Sequence, residues 1–140
     1  MYKKILVPLD GSKRAEAILP HVKNLALCFK AKVIFFIVIE PGHFLEHDEI
    51  IFMSVYEEKR DQQIKETESY LASLLEQFRE EGIKVQTLIG DGPVVKTADL
   101  LAMASHGRSG LSRTFYGSIS AGVLQRIDRP LLLIRSRNGE

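Results

Sequence analysis

Two stretches of this 140-residue chain place glycines, hydroxyls and a carboxylate where chemistry can be done. The longer is Ala104-Ser-His-Gly107-Arg-Ser-Gly110-Leu-Ser-Arg-Thr-Phe-Tyr-Gly117-Ser118, which follows an apolar, strand-like run and precedes a helix-like one. Glycines remove the Cβ that would keep a ligand off the backbone, and the N–H groups that open a helix carry the positive end of its dipole. A phosphate is the natural occupant of such a loop. The shorter stretch is Leu9-Asp10-Gly11-Ser12, where a hydrophobic strand stops in a turn. A carboxylate there can accept hydrogen bonds from a ribose or a base. It can equally hold its own turn or cap the helix that follows.

The spacing says more than the glycines do. Nine residues separate Gly107 from Gly117-Ser118, and the other end of the chain supplies Tyr2-Lys-Lys-Ile-Leu-Val-Pro8-Leu-Asp10-Gly-Ser12. Together these segments resemble the universal stress protein family, whose nucleotide-binding members carry Gly-x2-Gly-x9-Gly-Ser/Thr after the fourth strand and an Asp after the first. The resemblance runs from Lys3 to Arg135. It implies a dimeric stress-response sensor or regulator that binds an adenine nucleotide, ATP with Mg2+, and hydrolyses it slowly at most. One position departs from the pattern, because Ala104 stands at the first glycine. At positive φ an alanine costs about 1 kcal/mol and shifts the backbone, whereas at negative φ its methyl is tolerated. Some family members lack the glycine pattern altogether. A nucleotide-independent dimeric interaction module of the stress response is therefore the alternative.

On this resemblance Asp10 contacts the ribose or the base. Pro8 and Leu9, with Ile37, Val38 and Met103, wall the base, although core packing accounts for each of them as easily. Gly107, Gly117, Ser118, Ile119 and Ser120 face the phosphates with backbone N–H groups and hydroxyls, and Ser118 is equally the N-cap of the last helix. Arg108 and Arg113 either neutralise phosphate or stay solvated; His106 either reaches a phosphate or fixes its loop. The chain has no Gly-Lys-Ser/Thr ending to its loop, so the lysine and magnesium ligand of a P-loop are missing. It also lacks the Ser-Gly-Gly-x-Asp-Ser turn of related pyrophosphate-releasing ligases. No nucleophile stands beside a base and no carboxylate pair is set for acid and base work. Such a site holds ATP rather than spending it. His43 and His47, four residues apart, have the spacing of two metal ligands on a helix, but Pro41-Gly42 marks an exposed connector and no metal is expected.

These residues need a scaffold that brings two distant loops together. Ile5 to Leu9 and Lys32 to Glu40 are continuous apolar runs, as in parallel strands buried on both faces. Between them Ile18, Val22, Leu25, Ala26 and Phe29 form one helical face, with Pro20 predicting a kink or a late start near Ala15 to Ala17. A long helix follows from about Ser54 to Glu81, its inward stripe Ile64, Leu71, Leu74, Leu75 and Phe78, and Gly82 stops it. Ile83 to Ile89, Asp99 to Met103 and Pro130 to Ile134 read as further strands, and Ser118 to Ile127 as the last helix. The pattern predicts an α/β fold, a doubly wound, Rossmann-like parallel sheet of five strands with one layer of helices on each face. The resemblance supplies the strand order 3-2-1-4-5. Ligands bind such sheets where the order reverses, between strands 1 and 4. The Asp10 turn and the loop from Ala104 to Ser118 then share one crevice. One connection does not fit, since only Asp91 to Ala98 separates the third and fourth strands and a parallel crossover needs about a dozen residues. The sequence thus reads as one that omits a crossover helix between Thr97 and Ala98.

Residues 1 to 140, 45% hydrophobic and 26% charged, suit a single domain. A net charge of +1 gives no broad field for nucleic acid. Cys28, at an apolar helical position beside Phe29, reads as a buried structural thiol. No span approaches the ~20 apolar residues of a membrane helix and the apolar run before Asp10 is too brief for a signal peptide, so no membrane partner and a cytoplasmic location are expected. The resemblance implies a homodimer through the last strand, Pro130 to Ile134, whose uncovered apolar edge is otherwise an aggregation hazard.

Overall fold

Five short apolar runs become the strands of one parallel sheet: β1 (Lys4–Pro8), β2 (Lys32–Ile37), β3 (Val85–Ile89), β4 (Leu100–Ser105) and β5 (Leu131–Arg135). They are seen in a computed structural model that describes residues 2–37, 49–90, 97–105 and 128–135, with the backbone alone for 49–56 and 105. The order is β3-β2-β1-β4-β5, as expected. Every pairing is parallel, with Lys4 opposite Lys32, Val33 opposite Val85 and Leu101 opposite Leu131. The predicted last helix, Ser118 to Ile127, and the segment Val38 to Glu40 lie outside the described residues.

Helix α1 (Leu19–Phe29) and helix α2 (Glu49–Glu80) connect β1 to β2 and β2 to β3. Residues Ala15–Ile18 form a 3-10 turn ahead of α1, and the α-helix begins later than the sequence suggests, with Pro20 in its first turn. That position needs no N–H partner, so the proline starts the helix instead of kinking it. The helix ends at Lys30, whose φ of 54° makes it a left-handed cap. The C-terminal half of α2 follows the predicted stripe, burying Leu71, Leu74 and Phe78 while Ile64 and Leu75 are half-buried.

Both helices lie on one face of the sheet. Ile5, Val7, Val33, Phe35, Leu100 and Ala102 form that face and pack with Val22, Ala26, Leu71 and Phe78 in one apolar cluster. The Phe35 and Phe78 rings meet edge to face, 5.0 Å between centroids. At the amino ends of the strands Asp99 fastens β4 to β1. Its Oδ2 accepts the Lys3 and Lys4 N–H groups at 3.0 and 2.9 Å, and its own N–H donates to the Lys4 carbonyl. Those two N–H groups hold the Asp99 carboxyl below its ordinary range, against a smaller opposing effect of desolvation.

Cys28 is exposed, contrary to the buried thiol expected from its apolar neighbours. It lies two residues beyond buried Ala26, about 200° around the helix, and so points away from the sheet. No helix among the described residues is long and apolar enough to cross a membrane.

Candidate functional site

The sheet opens where its order reverses. β1 and β2 are bridged at five successive pairs, but β1 and β4 pair only at Ile5–Leu100 and Leu6–Leu101. Beyond those residues β1 and β4 have no further bridge among the described residues, at the switch point where sheets of this kind take ligands. Pro8, Leu9 and Asp10 reach it from β1. Met103 and Ala104, near the end of β4, are buried there and do not line the cleft described below.

The turn after β1 is held by its own side chains. Leu9 N–H donates to the Phe36 carbonyl at 2.8 Å, which anchors the strand end to β2. Asp10 Oδ1 then accepts the Ser12 N–H at 2.8 Å, and Ser12 Oγ accepts the Ala15 N–H at 3.2 Å. Gly11, with φ of 86°, takes the backbone through a conformation that other residues resist. Asp10 therefore performs the turn-forming role allowed for it. Its side chain is exposed, and its second oxygen makes no hydrogen bond among the described residues. Among the described residues, its chain neighbours aside, no heavy atom lies within 4 Å of where a Gly11 Cβ would stand.

A cleft of about 360 Å³ lies against this turn. Asp10, Gly11 and Ile37 form its sheet side, and Gln63, Glu66, Thr67 and Tyr70 of α2 form its far wall. The wall exists because α2 is too long for the sheet. Its 32 residues span about 48 Å, more than twice the ~20 Å of a six-residue strand, so the helix runs on past the carboxyl ends and its middle, Gln63 to Tyr70, stands beside the Asp10 turn. Tyr70 Oη donates to Glu16 Oε2 at 2.6 Å, tying this stretch to the 3-10 turn. Thr67 Oγ1 donates to the Gln63 carbonyl at 2.8 Å. Such a volume is in the range of small-molecule pockets, and its mixed polar and aromatic wall suits a nucleoside better than a bare phosphate.

Sequence reasoning missed this α2 wall. The signal was present, since Gln63, Thr67 and Tyr70 continue the Leu71, Leu74 and Phe78 stripe toward the N-terminus with polar residues. Ala104 lies in a regular strand opposite Ile134, and Lys30 is the only non-glycine residue with positive φ among the described residues. The alanine is thus unstrained, and it packs in the apolar cluster with Ala102. Val38, His106, Gly107, Arg108, Arg113, Gly117, Ser118, Ile119 and Ser120 lie outside the described residues, as do His43 and His47. Among the described residues no three His, Cys, Asp or Glu side chains cluster to hold a metal.

Against known proteins, residues 1–135 match the universal stress protein family model. The chain belongs to the universal stress protein family. Universal stress protein MJ0577 of Methanocaldococcus jannaschii is 28% identical over 158 aligned positions, covering 99% of this chain and 98% of that one. The solved MJ0577 structure superposes with a TM-score of 0.73 over 99% of both chains. A universal stress protein of Archaeoglobus fulgidus in complex with dAMP is 20% identical, with a TM-score of 0.57 over 95% of this chain and 98% of that one. Another universal stress protein, in complex with cAMP, is 18% identical, with a TM-score of 0.59 over 96% and 98%. The universal stress protein fold of this chain is the parallel, Rossmann-like sheet described above.

Proposed function

We propose that this universal stress protein binds an adenine nucleotide, ATP with Mg2+, at the crevice between β1 and β4, and that as a cytoplasmic homodimer it reports nucleotide occupancy and hydrolyses ATP slowly at most. The observation that carries the reading is the unbridged end of β1 and β4 beside the Asp10-Gly11 turn and a nucleoside-sized cleft. The dAMP and cAMP complexes of similarly folded family members support the adenine nucleotide as ligand.

In this reading the Asp10 carboxylate accepts hydrogen bonds from the ribose, with Pro8, Leu9, Ile37, Val38 and Met103 around the base. Carboxylates repel phosphate, so Asp10, Glu16 and Glu66 turn the phosphates away from the cleft and toward the 104–118 loop. Gly107, Gly117, Ser118, Ile119 and Ser120 then serve as donors, with His106 and Arg108 beside them. Bound Mg2+ neutralises phosphate charge. Ala104, unstrained in its strand, is compatible with this arrangement.

Calorimetric titration with ATP·Mg2+ tests the reading. Saturable heat and a raised Tm are expected, with Asp10→Ala weakening binding roughly tenfold, the equivalent of about 1.4 kcal/mol. No heat and no thermal stabilisation at millimolar nucleotide would replace this reading with the nucleotide-independent interaction module.

A further inference from the structure

The pole of the sheet opposite the crevice carries a second cleft, of about 330 Å³, between the end of α1 and the start of β3. Its floor is apolar: Ala26, Ala31 and Ile83 line it and are each no more than 4% exposed. Its wall includes Leu27, which is 50% exposed, and its rim is Lys30 and Lys84. A large aliphatic side chain half in water beside an open apolar floor is an unusual surface for a small domain.

The rim of this cleft is basic, and further lysines stand at the same pole of the sheet for a reason of register. Lys4 stands opposite Lys32, Lys32 N–H donates to the Lys3 carbonyl, and Val33 N–H donates to the Lys84 carbonyl. Three adjacent strands therefore begin with lysines side by side, about 4.8 Å apart per strand. Lys30 adds a fourth position at the end of α1. None of Lys3, Lys30, Lys32 and Lys84 makes an ion pair among the described residues. Two of the acids at this pole are already engaged, Asp99 by backbone N–H groups and Glu81 by Lys23 at 2.6 Å, while Glu80 stands in the last turn of α2. Helices α1 and α2 both end here, and their dipoles bring about half a negative charge each. Four unpaired lysines exceed what those dipoles need.

We propose that this groove is a docking site for an acidic peptide segment of a partner protein, one that sets an apolar side chain between Leu27 and Ile83 and its carboxylates against Lys30 and Lys84. The apolar floor selects this occupant over other polyanions. A nucleic-acid backbone would satisfy the lysines and leave the half-exposed Leu27 in water, and a flat anionic membrane would not enter a recess. The site lies at the far end of the strands from the nucleotide crevice and does not depend on the nucleotide reading.

A fluorescein-labelled peptide with Asp and Glu on both sides of a central Leu-Phe pair is the probe, read by anisotropy with the whole protein. Saturable binding is expected, weakened roughly tenfold by Lys84→Gln or Leu27→Ser. Lys30→Gly separates binding from folding, because glycine suits the left-handed cap while removing the charge. It should weaken the peptide to a similar extent with no fall in Tm. No binding at millimolar protein, equal binding of polyglutamate without the apolar pair, unchanged affinity in all three variants, or tighter binding of single-stranded RNA or phosphatidylserine vesicles would each overturn the proposal.

Discussion

At the scale of single residues, the Asp10 turn shows how one carboxylate serves structure and leaves an oxygen over. Oδ1 is spent on the Ser12 N–H, and the turn's shape depends on Gly11 at positive φ. This was legible from the sequence, because Asp-Gly-Ser after an apolar run is turn chemistry with a mechanism. Cys28 was not legible, since its apolar neighbours Leu27 and Phe29 are themselves half in water at the last turn of α1. Asp99 carries a different residue-scale consequence. Its carboxyl is held low by the Lys3 and Lys4 N–H groups, so its contribution to stability is full above the unfolded value of about 3.9 and is lost as pH falls through the folded value. Asp99→Asn should therefore cost about 1 kcal/mol in urea unfolding at pH 7, with the gap to wild type closing below about pH 3.9. A gap that persists unchanged in acid would show that the carboxylate charge is not what the strands use.

At the scale of elements, the apolar periodicity of the strands and the alternation of strand with helix were enough to place β1 to β5 within a few residues. The strand order came from the family pattern, and the start of α1 was misplaced because Pro20 fits a first turn as readily as it breaks a helix interior. The overhang of α2 was harder to see. Its polar middle, Glu57 to Glu68, looks like an ordinary solvated helix until the length of α2 is set against that of the strands. β5 is the element on which the proposed dimerisation turns. Leu132 packs against the core, so lysine there would damage the fold, whereas Leu131 is 44% exposed on the same edge strand. Leu131→Lys should leave the Tm of the monomer nearly unchanged and shift the sedimentation coefficient from dimer to monomer. A dimer of unchanged stability would move the interface elsewhere.

At the scale of the whole molecule, a net charge of +1 conceals local clustering among the described residues, with Lys4, Lys32 and Lys84 at the amino ends of neighbouring strands and Asp10 and Glu66 at the cleft. Composition reports the sum and is blind to this clustering, which only the register of the strands reveals. The connection from β3 to β4 is the other whole-chain feature. MJ0577 aligns over 158 positions with the 140 residues here, a difference that an omitted crossover helix and a natural deletion would both give, and of the two we propose the omitted helix between Thr97 and Ala98. Intact mass spectrometry of the native protein should then exceed 15.8 kDa by a helix-sized segment, and a mass of 15.8 kDa would make the short connection genuine.

The central claim is that nucleotide enters between β1 and β4, and amide chemical shifts of the 15N-labelled protein during titration with ATP·Mg2+ test it most directly. The account predicts saturable shifts at Asp10, Gly11, Ser12 and Ala104, with Lys30, Lys32 and Lys84 unmoved. Shifts confined to the lysine pole, or none at all at saturating nucleotide, would contradict it.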